Sequence, residues 1–195
     1  MPEKTNEITA IPDLLDTLAE AGQLAGAVVT NAAMGCQVGI AQAIIDHGAD
    51  YVLSLKGNQP TLEADVLNYF RTAPADEIVS TTTLEKGHGR IEIRKYRASA
   101  KVDWIASDRR YPGEPRFPSI KTLVEVQRTT EHAGQIRRET SIYISSLALG
   151  IDRIATAIRG HWGVEAMPWI LDVQFNLKTA VEILRMVGYR AFLRA

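Results

Sequence analysis

Three stretches of this chain carry side chains whose types and spacing could do chemistry. In His161-Trp162-Gly163-Val164-Glu165 a carboxylate follows two aromatic rings and a flexible glycine. A carboxylate oxygen is a hard ligand that suits Mg²⁺ or Mn²⁺, although a lone helical glutamate is more often solvated or ion-paired. Lys86-Gly87-His88-Gly89-Arg90, followed by Arg94, Lys95 and Arg97, is the densest basic stretch. Its cations suit phosphate contacts, and they equally suit an edge strand guarded by charge. Lys56-Gly57-Asn58-Gln59-Pro60 lacks the spacing of a phosphate-binding loop and reads as a strand-ending turn.

Other chemistries find less support. His47, His88, His132 and His161 form no His-x3-His pair, which argues against a zinc hydrolase, and no nucleophile triad is visible. Cys36 is the only cysteine. It allows no internal disulfide and no zinc framework, and it reads as a small semi-buried residue in a reducing cytoplasm.

These groups need elements to hold them. Ile11, Leu14, Leu15 and Leu18 recur at helical spacing and predict a helix over about 12–21, ended by Gly22. Residues 26–30 read as a buried strand, and Met34-Gly35-Cys36-Gln37 turns the chain. Ile40, Ala41, Ile44 and Ile45 predict a second helix, stopping at His47-Gly48, and 51–55 a second buried strand. Helix, strand, helix, strand implies a parallel α/β unit with right-handed crossovers. A helix over 61–70 follows, then strands over 90–98, 121–128 and 135–145, the last two joined by a hairpin loop over 130–134. Residues 111–118, rich in proline, should be irregular. Ile151, Ile154, Ala155 and Ile158 set the face of a late helix that Gly160, Gly163 and Pro168 interrupt or bend, and a last helix covers about 177–193.

The 195 residues, 46% hydrophobic and 23% charged, fit one folded domain with or without an insertion and exclude wholesale disorder. No apolar run approaches the ~18 residues of a membrane span, and the polar start, 1–6, does not look like a secretory signal. A net charge of −1 gives nucleic-acid binding no support by itself.

Six segments together resemble the H-repeat-associated insertion-sequence transposases, a group of DDE transposases. They are Asn6-Glu7-Ile8-Thr9-Ala10-Ile11-Pro12, Ala33-Met34-Gly35-Cys36-Gln37, Asp50-Tyr51-Val52-Leu53-Ser54-Leu55-Lys56-Gly57-Asn58-Gln59, His88-Gly89-Arg90-Ile91-Glu92, Tyr143-Ile144-Ser145-Ser146-Leu147 and Arg159-Gly160-His161-Trp162-Gly163-Val164-Glu165. They occur in the family's order over nearly the whole chain. The resemblance implies an RNase H-like core in which Asp, Asp and Glu hold two divalent cations for phosphodiester cleavage and strand transfer. It places the first Asp on the first strand, the second after the fourth strand and the Glu on a late helix, with a β-rich insertion before that helix.

Two of those carboxylates are not found. The first belongs upstream of the Asn-Glu-Ile-Thr-Ala segment, where only five residues precede Asn6, and the second falls at Ala32. The third is Glu165, the expected catalytic and metal-binding residue. Asp46 belongs at the far end of its helix, Asp50 precedes its strand and Asp172 lies seven residues beyond Glu165, so none replaces the missing pair convincingly. Beyond Glu165, Ala166-Met167-Pro168-Trp169 reads one residue short of the family pattern, and Phe175-Asn176-Leu177-Lys178 lacks its usual acidic pair.

The fold class expected is therefore α/β, a partial RNase H-like core with its first strands missing (1–60), a β-rich insertion (61–146) and C-terminal helices completing the core (147–195). The strand over 26–30 should then have an unpaired apolar edge and the chain should be marginally stable as a monomer. The expected function is that of a DDE transposase, truncated and inactive in catalysis, with Mg²⁺ or Mn²⁺ implied by resemblance only. The alternatives are a retained DNA-binding or regulatory fragment and an unrelated metal-dependent or hydrolytic enzyme. Expected DNA contacts are Lys56, Arg90, Arg94 and Lys95. Expected partners are transposon ends and either a second copy or a full-length transposase, in the cytoplasm and away from membranes.

Overall fold

A computed structural model describes residues 7–87, 89–106 and 116–174, with side chains described from residue 11 to 162 of that range. The first helix, α1 (Glu7–Glu20), contains Pro12 and starts earlier than the apolar periodicity predicts. Its buried Leu15 faces the core, and Gly22, at a φ of +66°, ends it. The strand β1 (Val28–Asn31), helix α2 (Val38–Asp46) and strand β2 (Asp50–Leu55) then form the expected parallel unit. Their register runs from Val28 opposite Asp50 to Asn31 opposite Leu53. Helix α3 (Pro60–Thr72) starts on proline, whose fixed φ and missing N–H suit a first turn.

The middle of the chain adds strands to the same sheet. These are β3 (Val79–Gly87), β4 (Arg90–Ser99), β5 (Thr122–His132) and β6 (Gln135–Ser145), with the short α4 (Asp103–Ala106) between β4 and β5. The sheet order is β1-β2-β6-β5-β4-β3. Strand β6 pairs antiparallel with β2, from Val52 opposite Ser145 to Leu55 opposite Ile142, so the β-rich stretch continues the α/β sheet. Among the described residues β1 pairs with β2 alone and forms one edge.

Four elements differ from the sequence reading. Strand β3 was not expected: most of its side chains are exposed, so it carries no apolar alternation to read. The hairpin loop shrinks to Ala133 and Gly134, both at positive φ, the geometry that matches strand twist in a two-residue turn. Helix α5 (Ile151–Gln174) runs through Gly160, Gly163 and Pro168 without interruption. Helix α4 falls where no element was expected. The expected helix over 177–193 and most of the irregular 111–118 lie outside the described residues.

Two apolar layers sandwich the sheet. On one side Ile40, Ile44, Leu53, Phe70 and Ile144 join α2 and α3 to the strands. On the other, Val52, Tyr96, Val126, Ile154 and Ile158 hold α5 against them. Val52 and Leu53 fall in opposite layers, as a strand buried on both faces requires. No helix among the described residues is long and apolar enough to cross a membrane.

Candidate nucleic-acid interface at the carboxyl ends of β1 and β2

The parallel pair β1–β2 ends where open α/β sheets ordinarily form their binding crevices. A cleft of about 690 Å³ lies there, lined by Ala32, Lys56, Arg128, Glu139, His161 and Trp162 among others. Ala32 follows the last residue of β1, Lys56 follows the last residue of β2, and His161 and Trp162 come from α5. Three segments far apart in sequence therefore meet around one crevice.

Local hydrogen bonds explain how they are held. Asn58 Nδ2 donates to the Ala33 carbonyl, and both Asn58 Nδ2 and Gln59 Nε2 donate to the Cys36 carbonyl at 3.2 Å. The turn after β2 is thus tied to the turn after β1. A Cβ on Gly35 would fall 2.0 Å from Asn31 Nδ2, so any side chain there displaces the Asn31 amide. Thr30 Oγ1 and His161 Nδ1 share a hydrogen bond of 3.3 Å that joins β1 to α5. At the opposite end of β2, Ser146 Oγ accepts from the Tyr51 amide at 2.9 Å and donates to Asp50 Oδ1 at 2.7 Å. Burial pushes the Tyr51 phenol up, with the charges of Cys36 and Asp50 adding to the shift.

An ionic network forms the far wall. The guanidinium carbons of Arg94 and Arg128 lie 5.2 and 5.4 Å from the centre of the Trp162 ring, within cation–π reach. Arg128 pairs with Glu139, and Arg94 with Glu92 and, at 3.0 Å, with Glu85. Arg159 donates twice to Glu85, at 2.7 and 2.6 Å. Those bonds, helped by the charge of Arg94, hold the Glu85 carboxyl below its ordinary range. Desolvation outweighs the pull of Glu85 and draws Arg94 below the ordinary guanidinium value, and Arg159 adds to that repulsion.

The expected site residues separate on this frame. Lys56 lines the cleft. Arg90 sits further along β4 at the tip of the sheet, its side chain 57% exposed. Arg94 is only 3% exposed and turned into the network with Trp162, so its place is that of a buried ion-pair residue rather than a surface cation. Lys95 is exposed on the opposite face of β4, by the alternation of the strand. Glu165 belongs to α5, and its side chain lies outside those described. Of the substitutes, Asp46 is the last residue of α2 and accepts from Gln42 at 2.8 Å, while Asp50 lies at the amino end of β2. Asp172 also falls among the undescribed side chains.

Sequence reasoning missed Arg128, Glu85 and Arg159. The only signal for the first was its pairing opposite Arg94, which needs the register of β4 and β5.

A divalent cation does not fit the described part of this cleft. No group of three His, Cys, Asp or Glu side chains converges among the described residues. The second expected ligand position holds the methyl group of Ala32, and the carboxylate named in the lining, Glu139, is already paired with Arg128.

Fold and cleft define an α/β domain with a cationic crevice at the ends of its parallel strands. The transposase DDE domain family matches residues 1–181, and the chain belongs to that family. It is 35% identical to the H repeat-associated putative transposase YhhI of Escherichia coli over 89% of this chain and 46% of that protein. It is 39% identical to an uncharacterized protein in the dhlA 3′ region of Xanthobacter autotrophicus, over 73% of this chain and 45% of that one. The chain thus spans about half the length of the curated relatives it matches. Among solved structures, the sugar N-methyltransferase KedS8 from a Streptoalloteichus species aligns at 14% identity and a TM-score of 0.24, over 62% of this chain and 41% of that one. A score so low carries no statement about fold or function.

Proposed function

We propose that this chain is a transposase-derived DNA-binding domain that does not itself cut DNA. Ala32 carries the reading. It sits in the crevice at the position where the family pattern calls for a carboxylate, beside Lys56, Arg128 and His161. Two-cation phosphoryl chemistry needs several carboxylates converging on the metals. The described walls instead offer Lys56, which attracts a phosphodiester and repels a metal ion, and an Arg128–Glu139 pair whose carboxylate is already engaged. In this reading Lys56 and Arg90 contact DNA phosphates, whereas Lys95, on the opposite face of β4, does not share their surface. Arg94 acts indirectly, by fixing Trp162 and with it the wall of the crevice. Glu165 is the carboxylate this reading leaves for the family's Mg²⁺ or Mn²⁺, and the methyl group of Ala32 at the second position leaves strand transfer without support.

The natural ligand in this reading is a transposon end. A second partner is a full-length relative or another copy of the chain, and the edge position of β1, which pairs with β2 alone among the described residues, favours such an association.

The test is to incubate the purified chain with supercoiled plasmid carrying candidate end sequences, with Mg²⁺ or Mn²⁺, and to follow binding and nicking together. Binding without nicking is expected. A metal-dependent nick that disappears in Glu165→Ala would overturn the proposal. Absence of binding at low salt would overturn the DNA-binding half.

A further inference from the structure

Strand β6 runs on beyond the end of its pairing with β2, and β3 to β6 together make a four-stranded blade. On the blade face shared with α5, cross-strand partners form rows. Arg94 lies opposite Arg128, which lies opposite Glu139. Glu92 lies opposite Thr130, which lies opposite Arg137. Arg90 lies opposite His132, which lies opposite Gln135. The last two rows, apart from Glu92, line with Gly87 a separate groove of about 560 Å³ at the blade tip.

The charge on this face is lopsided. From cleft to tip it carries Lys56, Arg128, Arg94, Arg159, Arg90 and Arg137 against Glu139, Glu85 and Glu92. Each of the three carboxylates is already engaged: Glu139 by Arg128, Glu85 by Arg94 and Arg159, and Glu92 by Arg94 with Arg90 3.5 Å away. Among the described residues the groove itself is lined by two arginines and a histidine and by no carboxylate. Arg94, against Trp162 of the cleft wall, and Arg90, at the tip, are four positions apart along β4. At about 3.4 Å per residue that is ~13–14 Å, or roughly four steps of one strand of B-DNA.

We infer that the tip groove is a second phosphodiester site, in which Arg90 and Arg137 grip the backbone of the same DNA duplex whose other phosphates lie at Lys56. The inference rests on the DNA-binding reading above and adds a place and a direction to it. The duplex runs along β4 from the crevice to the blade tip, and the blade acts as an electrostatic ruler rather than a reader of bases. His132 and Gln135 supply further hydrogen-bonding groups between the two cations.

The experiment is fluorescence anisotropy of a labelled duplex against the full chain over a series of KCl concentrations. Wild type is compared with Arg90→Ala/Arg137→Ala and with the charge-keeping Arg90→Lys/Arg137→Lys. Each lost phosphate contact should lower the steepness of log K against log [KCl] by about 0.9, so the alanine pair should lose roughly two units of slope and bind at least tenfold more weakly at low salt. The lysine pair should keep most of the slope. Both side chains face solvent in the groove, so the circular dichroism of the variants should match wild type. An unchanged slope in the alanine pair, with wild type binding normally, overturns the groove and leaves the DNA reading standing. Equal loss in the lysine pair also overturns it, because charge would not be the cause. No binding by wild type at low salt removes the reading on which the groove depends. Tighter binding to an RNA duplex of the same length, with the same slope changes, replaces DNA as the occupant.

Discussion

Single residues in this chain take their meaning from neighbours that the sequence keeps far away. Cys36 is fully buried between α2 and the turn after β1, and burial pushes its thiol up to about 12. The thiolate is the reactive form, so Cys36 should react slowly with a thiol-specific disulfide reagent at pH 8 and quickly once urea unfolds the chain. The same shift has a consequence for stability. Above about pH 9 the unfolded thiol ionises while the folded one does not, so the unfolded state holds fewer protons and stability falls as pH rises. Urea midpoints at pH 7.5 and 9.5 should show that fall, and replacing Cys36 with Ser should flatten it. Rapid labelling of the native chain would show the thiol is not enclosed.

The elements divide into those written as patterns and those that are not. Residues 51–55 alternate into both apolar layers and could be recognised as a buried strand because every position is apolar or small. Strand β3 could not. Its Thr81-Thr82-Thr83 run has the branched shape strands prefer, but its register is decided by β4, from Val79 opposite Ala98 to Gly87 opposite Arg90. Helix α5 shows the reverse. Glycine and proline raise the local cost of helix, and packing of Ile154 and Ile158 on the sheet overrides at least the glycine at position 160. At the other edge, β1 has a strand partner on one side only among the described residues. Sedimentation should therefore show concentration-dependent association, and a peptide of residues 26–32 should compete and return the chain to a monomer. A single monomeric species across a wide concentration range, unaffected by the peptide, would show that the edge is covered.

At the scale of the molecule, the continuous sheet makes the α/β unit and the blade interdependent. Ile142 and Ile144 of β6 pack into the same core as Leu53 of β2 and Phe70 of α3. Ile144→Ala should cost about 2–5 kcal/mol, the range for truncating a buried isoleucine. It should lower the urea midpoint equally whether followed by helical circular dichroism or by tryptophan fluorescence. Two separated transitions would mean that the blade and the α/β unit fold independently.

By itself the sequence determined the parallel α/β unit, the hairpin of β5 and β6, the membership suggested by six ordered segments, and the alanine at position 32. These are local patterns or residue identities, and local physics suffices to read them. The tertiary structure alone decided that the β-rich stretch joins β2, that Arg94 turns inward onto Trp162 while Arg90 stays in solvent, and that Lys56, Arg128 and His161 share one crevice with Ala32. Strand register and helix packing set those relations. Both depend on contacts between residues as much as 131 positions apart, which no window along the chain contains.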